Sequence, residues 1–315
     1  MAIAAGCGYK PEKKLAKVNI AFQEWVGYGP FFLAQEKGFF KEEGIEMSFI
    51  DEQLDSARRD AFKAGMLDCE GGTIDLLVSK TAQGTPITAV MEIDRSFGSD
   101  GIAAAEDIKT LKDLIGRRVA FTRDDVSETL LSYLFYKEGL SMDKITIVAR
   151  GPDKAAQAFL GDEADAVVTW EPSLSKALKR PGAHLLVSTK ELPEIIIDTL
   201  NVKNDMIKNN PALVKGIMRA WFKALKHYKE DPAGSSALIA KYYKITPEQY
   251  RKDVEGLKWI DYKDQDSAAD YRERIDLFNA IADIKFRNKR IAAKPDAKDA
   301  LNITLLQGLY NENSK

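Results

Sequence analysis

Between Lys17 and Thr189 two kinds of apolar pattern take turns along the chain. The runs KVNIAF (17–22), IEMSFID (45–51), TPITAVMEID (85–94), VAFT (119–122), KITIVAR (144–150), ADAVVTW (164–170) and HLLVST (184–189) alternate or are continuously apolar. Such runs predict strands. Between them stand PFFLAQEKGFF, SARRDAFKAGML, IKTLKDLIGRR, DVSETLLSYLFYKEGL, GPDKAAQAFLGD and EPSLSKALKR, whose apolar positions recur every three or four residues. These predict helices, with Gly44 a C-cap and Asp125 and Ser127 marking a helix start. The stretch DCEGGTIDLLVSKTAQG (68–84) reads as a short strand, a Gly-Gly turn and a helix. This repeated alternation predicts an α/β fold whose sheets are mainly parallel and flanked by helices.

From Pro211 the pattern changes to three long helical runs, at 211–232, 235–257 and 267–286. Their Trp221, Phe222, Tyr242, Tyr243 and Phe278 read as packing stripes, and His227 as a surface or boundary residue. There is no internal repeat and no low-complexity linker.

The bulk numbers narrow the function. The chain has 315 residues, enough for two lobes, and is 45% hydrophobic and 30% charged. With 46 basic and 48 acidic residues its net charge is −2, so nothing favours nucleic acid or an anionic membrane. No run reaches the roughly 20 apolar residues that span a bilayer. Two cysteines, Cys7 and Cys69, neither in a CxxC pair, and two histidines, His184 and His227, argue against an ordinary zinc site, and the unremarkable contexts of both histidines leave a Ser-His-Asp or Cys-His arrangement without a good candidate. Cys69 reads as a small buried thiol. No dinucleotide fingerprint, phosphate loop or nucleophile elbow is present, so no cofactor is expected.

The informative features are strand-to-helix turns: WVGYGP (25–30), EGGT (70–73), DRSFGSDG (94–101), TRDDVSE (122–128) and TWEP (169–172). In parallel α/β sheets such turns gather where ligands bind, at the carboxyl ends of the strands. Gly71 and Gly72 let backbone approach a ligand. Trp25, Tyr28 and Trp170 offer flat apolar faces. Asp94, Asp100, Glu128 and Glu171 offer acceptors and negative charge. Each has a plainer role: Asp124, Asp125 and Ser127 as helix caps, Pro30 and Pro172 as first-turn prolines, Trp170 as core.

The order W-x-G-Y-x-P (25–30), FxAxEKGFFKEEGI (32–45), DGIAAxxxIKTLKDLIGRRVAF (100–121) and DAVVTWEPSLSKAL (165–178) resembles the solute-binding proteins of bacterial ABC importers for nitrate, sulfonates, taurine and thiamine-precursor pyrimidines. The likeness runs from about Lys17 nearly to the C-terminus. It implies a type II periplasmic-binding-protein fold of two lobes, 16–101 plus 201–315 and 102–200, closing on a small molecule. It implies a cleft lined by Trp25, Tyr28, Gly72, Thr73, Asp94, Ser127, Glu128, Trp170 and Glu171, with Trp25 and Tyr28 exposed until ligand arrives. It implies a monomer, periplasmic or on the outer face of the cytoplasmic membrane, that serves a permease and an ATPase and is not an enzyme. The start MAIAAGCGYKPEKK resembles the end of a lipoprotein signal, making 1–15 a tether with Cys7 as its lipidation site. Fungal pyrimidine synthases share the fold, but their cysteine-rich motif and iron-binding histidines are absent here.

Two ligand classes stay open. A nitrate or sulfonate site calls for cations or bare helix N-termini, whereas these turns carry Asp94, Asp100, Asp124, Asp125, Glu128 and Glu171. Arg95 and Arg123 can offset part of that charge. An amine or aminopyrimidine that donates N–H groups to Glu128 or Glu171 and stacks on Trp25 or Trp170 is the preferred reading. The alternative is an oxyanion such as a sulfonate, taurine or nitrate.

Overall fold

Most of the apolar runs form strands and most of the helical stretches form helices, but Gly71 and Gly72, read as a turn, lie inside the strand Cys69–Thr73, and IKTLKDLIGRR forms only a short 3-10 turn, Leu111–Leu114. The computed structural model describes residues 14–52, 55–265 and 268–313, so Cys7 and most of the expected tether lie outside the described residues. In chain order the strands are β1 (Ala16–Phe22), β2 (Ile45–Ile50), β3 (Cys69–Thr73), β4 (Ile87–Ser96), β5 (Asp100–Ala104), β6 (Arg118–Phe121), β7 (Thr146–Ala149), β8 (Ala166–Trp170), β9 (His184–Ser188), β10 (Ile197–Lys203) and β11 (Leu257–Trp259).

They form two sheets. The first has the order β11-β4-β10-β3-β1-β2 and the second β7-β6-β8-β5-β9. β1 is parallel to β2 and β3, while β10 runs antiparallel between β3 and β4. In the second sheet β6 is parallel to β7 and β8, and β5 runs antiparallel between β8 and β9. β11 also runs antiparallel to its neighbour β4 at the edge of the first sheet. The other reversed strands, β10 and β5, are the ones that enter from the other sheet. β4 hands the chain to β5 through Phe97–Ser99, and β9 returns it to β10 through residues 189–196. The expected lobe boundaries at 101 and 201 fall inside β5 and β10.

The two links are tied together. Ser96 Oγ lies 2.7 Å from Thr189 Oγ1, which also accepts from Gly98 N at 2.9 Å. Gly98 has φ +110°, a conformation that side chains rarely adopt. The C-terminal region braces the same point, since Gly256 O accepts from Phe97 N and Ser99 N.

Trp221 and Phe278 are fully buried, as their helical spacing predicts, and Trp221 packs on Phe31 at 4.5 Å between ring centroids. The run 235–257 is not one helix. It divides into Pro232–Tyr243, Pro247–Asp253 and β11. Lys244 turns left-handed, and Thr246 Oγ1 caps the next helix by accepting from Gln249 N. Pro247, which lacks an N–H, fits the first turn after that break.

β5 is pressed so closely on β9 that a Cβ built at Gly101 would stand 2.7 Å from Val187 O and 3.1 Å from Leu185. Gly101→Ala is therefore expected to cost about 1–3 kcal/mol through overpacking. A urea midpoint unchanged from the parent's would show that the sheet yields freely there.

Candidate functional site

The aromatic loop after β1 lies against the carboxyl edge of the first sheet. Trp25 and Tyr28 are not exposed: they retain 6% and 1% of their surface. The C-terminal helices cover them. Tyr243 Oη donates to Trp25 O, Tyr250 Oη to Val26 O, and Trp259 Nε1 to Gly27 O at 2.7 Å. Phe22 stacks on Tyr28 at 4.8 Å between centroids. Gly71 has no room for a side chain, because a Cβ there would meet Tyr28 Cε1 at 2.6 Å.

The two polar tips are spent on two carboxylates. Trp25 Nε1 donates to both oxygens of Asp94, at 3.1 and 3.2 Å. Tyr28 Oη donates to Asp198 Oδ1 in a short hydrogen bond. Asp94 and Asp198 are direct register partners on antiparallel β4 and β10. Like charges in that relation repel, and burial takes away the water that would screen them. Both are at most 2% exposed.

More carboxylates gather around this pair. Asp100 opens β5 and is 5% exposed. Asp75 lies in the first turn of the helix Ile74–Ala82, and Asp125 caps the helix Val126–Lys137, accepting from Val126 N. Asp75 is held on three sides. It accepts from Thr73 Oγ1 at 2.5 Å and from Thr129 Oγ1 at 3.1 Å, and pairs with Lys285 Nζ at 3.3 Å. Among the described residues no lysine or arginine pairs with Asp94, Asp100 or Asp198. Arg95 turns instead to Glu92 and Glu273, and Arg123 is exposed.

The consequence is a set of reluctant acids. Loss of hydration pushes Asp198 up to about 7, with Asp100, Asp75 and Asp125 adding repulsion against the pull of the Tyr28 hydrogen bond. Asp100 is also raised to about 7 by burial, against a hydrogen bond from Ser96, with Asp75 and Glu171 adding repulsion. Burial and Asp75 raise Asp125 to about 7. Asp94 is pushed well up by burial and by Asp198. The Tyr28 phenol, buried beside Asp198, is likewise held protonated.

Other expected residues are occupied elsewhere. Glu128 accepts from Asp124 N at 2.7 Å and pairs with Arg290 Nη2 at 2.5 Å. Glu171 caps the short helix Ser173–Ala177, accepting from Ser175 N and Oγ at 3.0 and 2.7 Å. Gly72 opens toward Asn201 and Glu70, on the sheet face opposite Tyr28. Thr73 stands at the N-cap of Ile74–Ala82, and Ser127 is buried in the first turn of Val126–Lys137. Trp170 is half-buried and packs against apolar residues of both sheets. Asp75 and Asp198 were not singled out from the sequence. The signal for Asp198 is a lone carboxylate in the apolar run IIIDTLNV. Among the described residues no His/Cys/Asp/Glu group is arranged to hold a metal ion, and no helix is long and apolar enough to cross a membrane.

Comparison with known proteins follows this geometry. The profile of a family described as NMT1/THI5 like matches residues 25–235, more than half of the chain. A putative aliphatic sulfonates-binding protein of Bacillus subtilis is 25% identical over 99% of this chain and 95% of its own. A 4-amino-5-hydroxymethyl-2-methylpyrimidine phosphate synthase of Saccharomyces cerevisiae is 24% identical over 64% of each chain. The periplasmic aliphatic sulphonate binding protein SsuA of Escherichia coli superposes with a TM-score of 0.75 at 20% identity, covering 90% of this chain and 91% of its own. The fold is that of the periplasmic binding proteins.

A carboxyl that is harder to ionise when folded stabilises the protein fully below its unfolded pKa, near 4, and loses that contribution as pH rises through its folded pKa. For Asp100, Asp125 and Asp198 the loss runs from about pH 4 through about 7. Asp198→Asn keeps an acceptor for Tyr28 and removes one charge. Urea midpoints at pH 5 and pH 8 are expected to fall less between the two in this variant than in the parent. Equal falls would remove Asp198 from the repelling set.

Proposed function

The chain belongs to the NMT1/THI5-like family, and on that premise we propose that it is the extracytoplasmic solute-binding component of an ABC importer rather than an enzyme. The relatives named as binding proteins support this, and so do two sheets joined by a pair of hydrogen-bonded links. In this reading each sheet with its helices is a lobe, the links are the hinge, and the solute lies between β4–β10 and the start of β5. A monomer delivers it to a permease and an ATPase, and Cys7 serves as a lipid anchor.

For the solute, the geometry best supports a small cation bearing N–H donors, such as an amine, an amidinium or a protonated aminopyrimidine. The observation that carries this is the buried Asp94–Asp198 pair with Asp100 nearby and, among the described residues, no basic side chain paired to them. A buried uncompensated charge is destabilising by several kcal/mol, and a cation seated there relieves it on more than one carboxylate at once. N–H groups fit acceptor-only oxygens, and the Trp25 and Tyr28 hydrogen bonds hold those oxygens in place.

The names of the relatives favour the other class weighed from the sequence, a sulfonate. That second reading has a physical form here. Carboxyls with pKa values near 7 are partly protonated at neutral pH and can donate hydrogen bonds to an oxyanion.

A thermal-shift panel on ligand-stripped protein at pH 8 separates the two, with guanidinium, methylammonium and acetamidinium against taurine and an alkanesulfonate. Binding at a hundredfold excess over Kd adds about 2.7 kcal/mol of stability. The cations are expected to raise the midpoint, and Asp198→Asn to weaken the responding cation at least tenfold. Shifts with sulfonates alone, undiminished in Asp198→Asn, would overturn the cationic reading and leave the importer role standing.

A further inference from the structure

The C-terminal helix Ala268–Arg287 belongs to both sheets. Its chain position follows β11 of the first sheet, and it packs against the helix Ile74–Ala82, which leads from β3 to β4. It packs equally against Val126–Lys137, which leads from β6 to β7 of the second sheet. Leu277, Phe278, Ile281 and Ala282 share one apolar cluster with Leu77, Val78, Leu130 and Leu131.

The polar contacts at the end of this helix go to the same two neighbours. Lys285 Nζ, 5% exposed at the side chain, reaches Asp75 of the first neighbour, and Asp75 is bonded to Thr129 of the second. The helix then closes with Lys289 in the left-handed region at φ +57°. Arg290 N donates back to Lys285 O at 2.8 Å, in the manner of a Schellman turn. A lysine rather than glycine in that conformation is unfavourable, so other contacts must hold it. Those contacts lie on the second-sheet helix. Asn288 Nδ2 donates to Ser132 Oγ at 3.1 Å, and Arg290 forks onto Glu128, with Asp124 at 3.4 Å from its Nε. The Glu128 side chain is 8% exposed, so this pair is largely shielded from solvent.

We propose that the segment 285–290 is a strap that holds the two lobes closed in the absence of solute, with Arg290 and Glu128 as its fastening. The inference rests on the two-lobed reading above. It assigns Glu128, expected from the sequence to touch ligand, to the strap instead. A two-state protein binds with an apparent Kd equal to the intrinsic Kd divided by the fraction of molecules in the binding-competent state. A strap that keeps the closed state populated without ligand therefore sets how much of the solute's binding energy goes into closure.

The test needs no solute. In full-length protein carrying Cys7→Ser, spin labels are attached at Lys41→Cys and Lys154→Cys, both exposed and on opposite lobes. The parent is expected to give one narrow interlobe distance. Arg290→Glu, which faces Glu128 with a like charge, is expected to broaden the distribution toward longer distances, and the exchange Arg290→Glu with Glu128→Arg to restore it. Far-UV circular dichroism confirms that each variant is folded. A parent already broad, a folded Arg290→Glu indistinguishable from the parent, or an exchange that restores nothing would each overturn the strap. None of these outcomes depends on whether the panel above finds a solute.

Discussion

Two aspartates face each other in the first sheet, one on β4 and one on β10, buried and, among the described residues, with no basic side chain paired to them. Strand pairing alone would not tolerate this arrangement, because like charges opposite each other on neighbouring strands are unfavourable even in water. Much of the surrounding structure can be understood as what makes it tolerable. Trp25 and Tyr28 give each carboxylate a donor. The C-terminal Tyr243, Tyr250 and Trp259 hold the loop that carries those donors. The loop belongs to the same apolar cluster as Trp221, whose burial contributes stability beside the unfavourable carboxylate pair. A residual penalty remains, and it appears as carboxyls that resist ionisation until about pH 7.

A defect held so firmly is the expected signature of a binding site rather than of a scaffold. The position agrees with that. Asp94 lies two residues from the end of β4, where the chain crosses to the second sheet, Asp100 opens β5 just after, and Asp198 is the second residue of β10, just after the return. The three carboxylates therefore sit at the two links on which lobe movement would turn. A ligand that neutralises them acts where small changes of backbone angle move the lobes most. The strap proposed at 285–290 would act beside the same carboxylates, since Lys285 pairs with Asp75 and Arg290 with Glu128. Binding energy and strap energy would then bear on one equilibrium in the same direction, toward the closed state.

The sheets and the order of the elements were legible because short apolar runs and helical spacing differ in period. The long run 235–257 was not, because one left-handed residue and one proline outweigh its spacing. Of the candidate site, the sequence marks the aromatic loop and Asp94 but not Asp198. The loop holding Trp25 and Tyr28 declares itself through its glycines, but nothing local says that Tyr243 and Tyr250, more than two hundred residues later, will cover it. Glu128 and Glu171 stand near helix starts, where the same position that suits a ligand also suits a cap or an ion pair. Asp198 escaped notice because an aspartate within IIIDTLNV reads as an interruption of a strand, and only the register shows it opposite Asp94.

The central claim is that the solute takes the place of protons on these carboxylates. Calorimetry of binding in two buffers of different ionisation heat, at pH 7, counts protons exchanged per solute bound. If a cation occupies the site, protons are released on binding, because it favours the ionised forms of Asp94, Asp100 and Asp198. Proton uptake on binding would contradict the account, since it would mean that the carboxyls serve as donors to an anion.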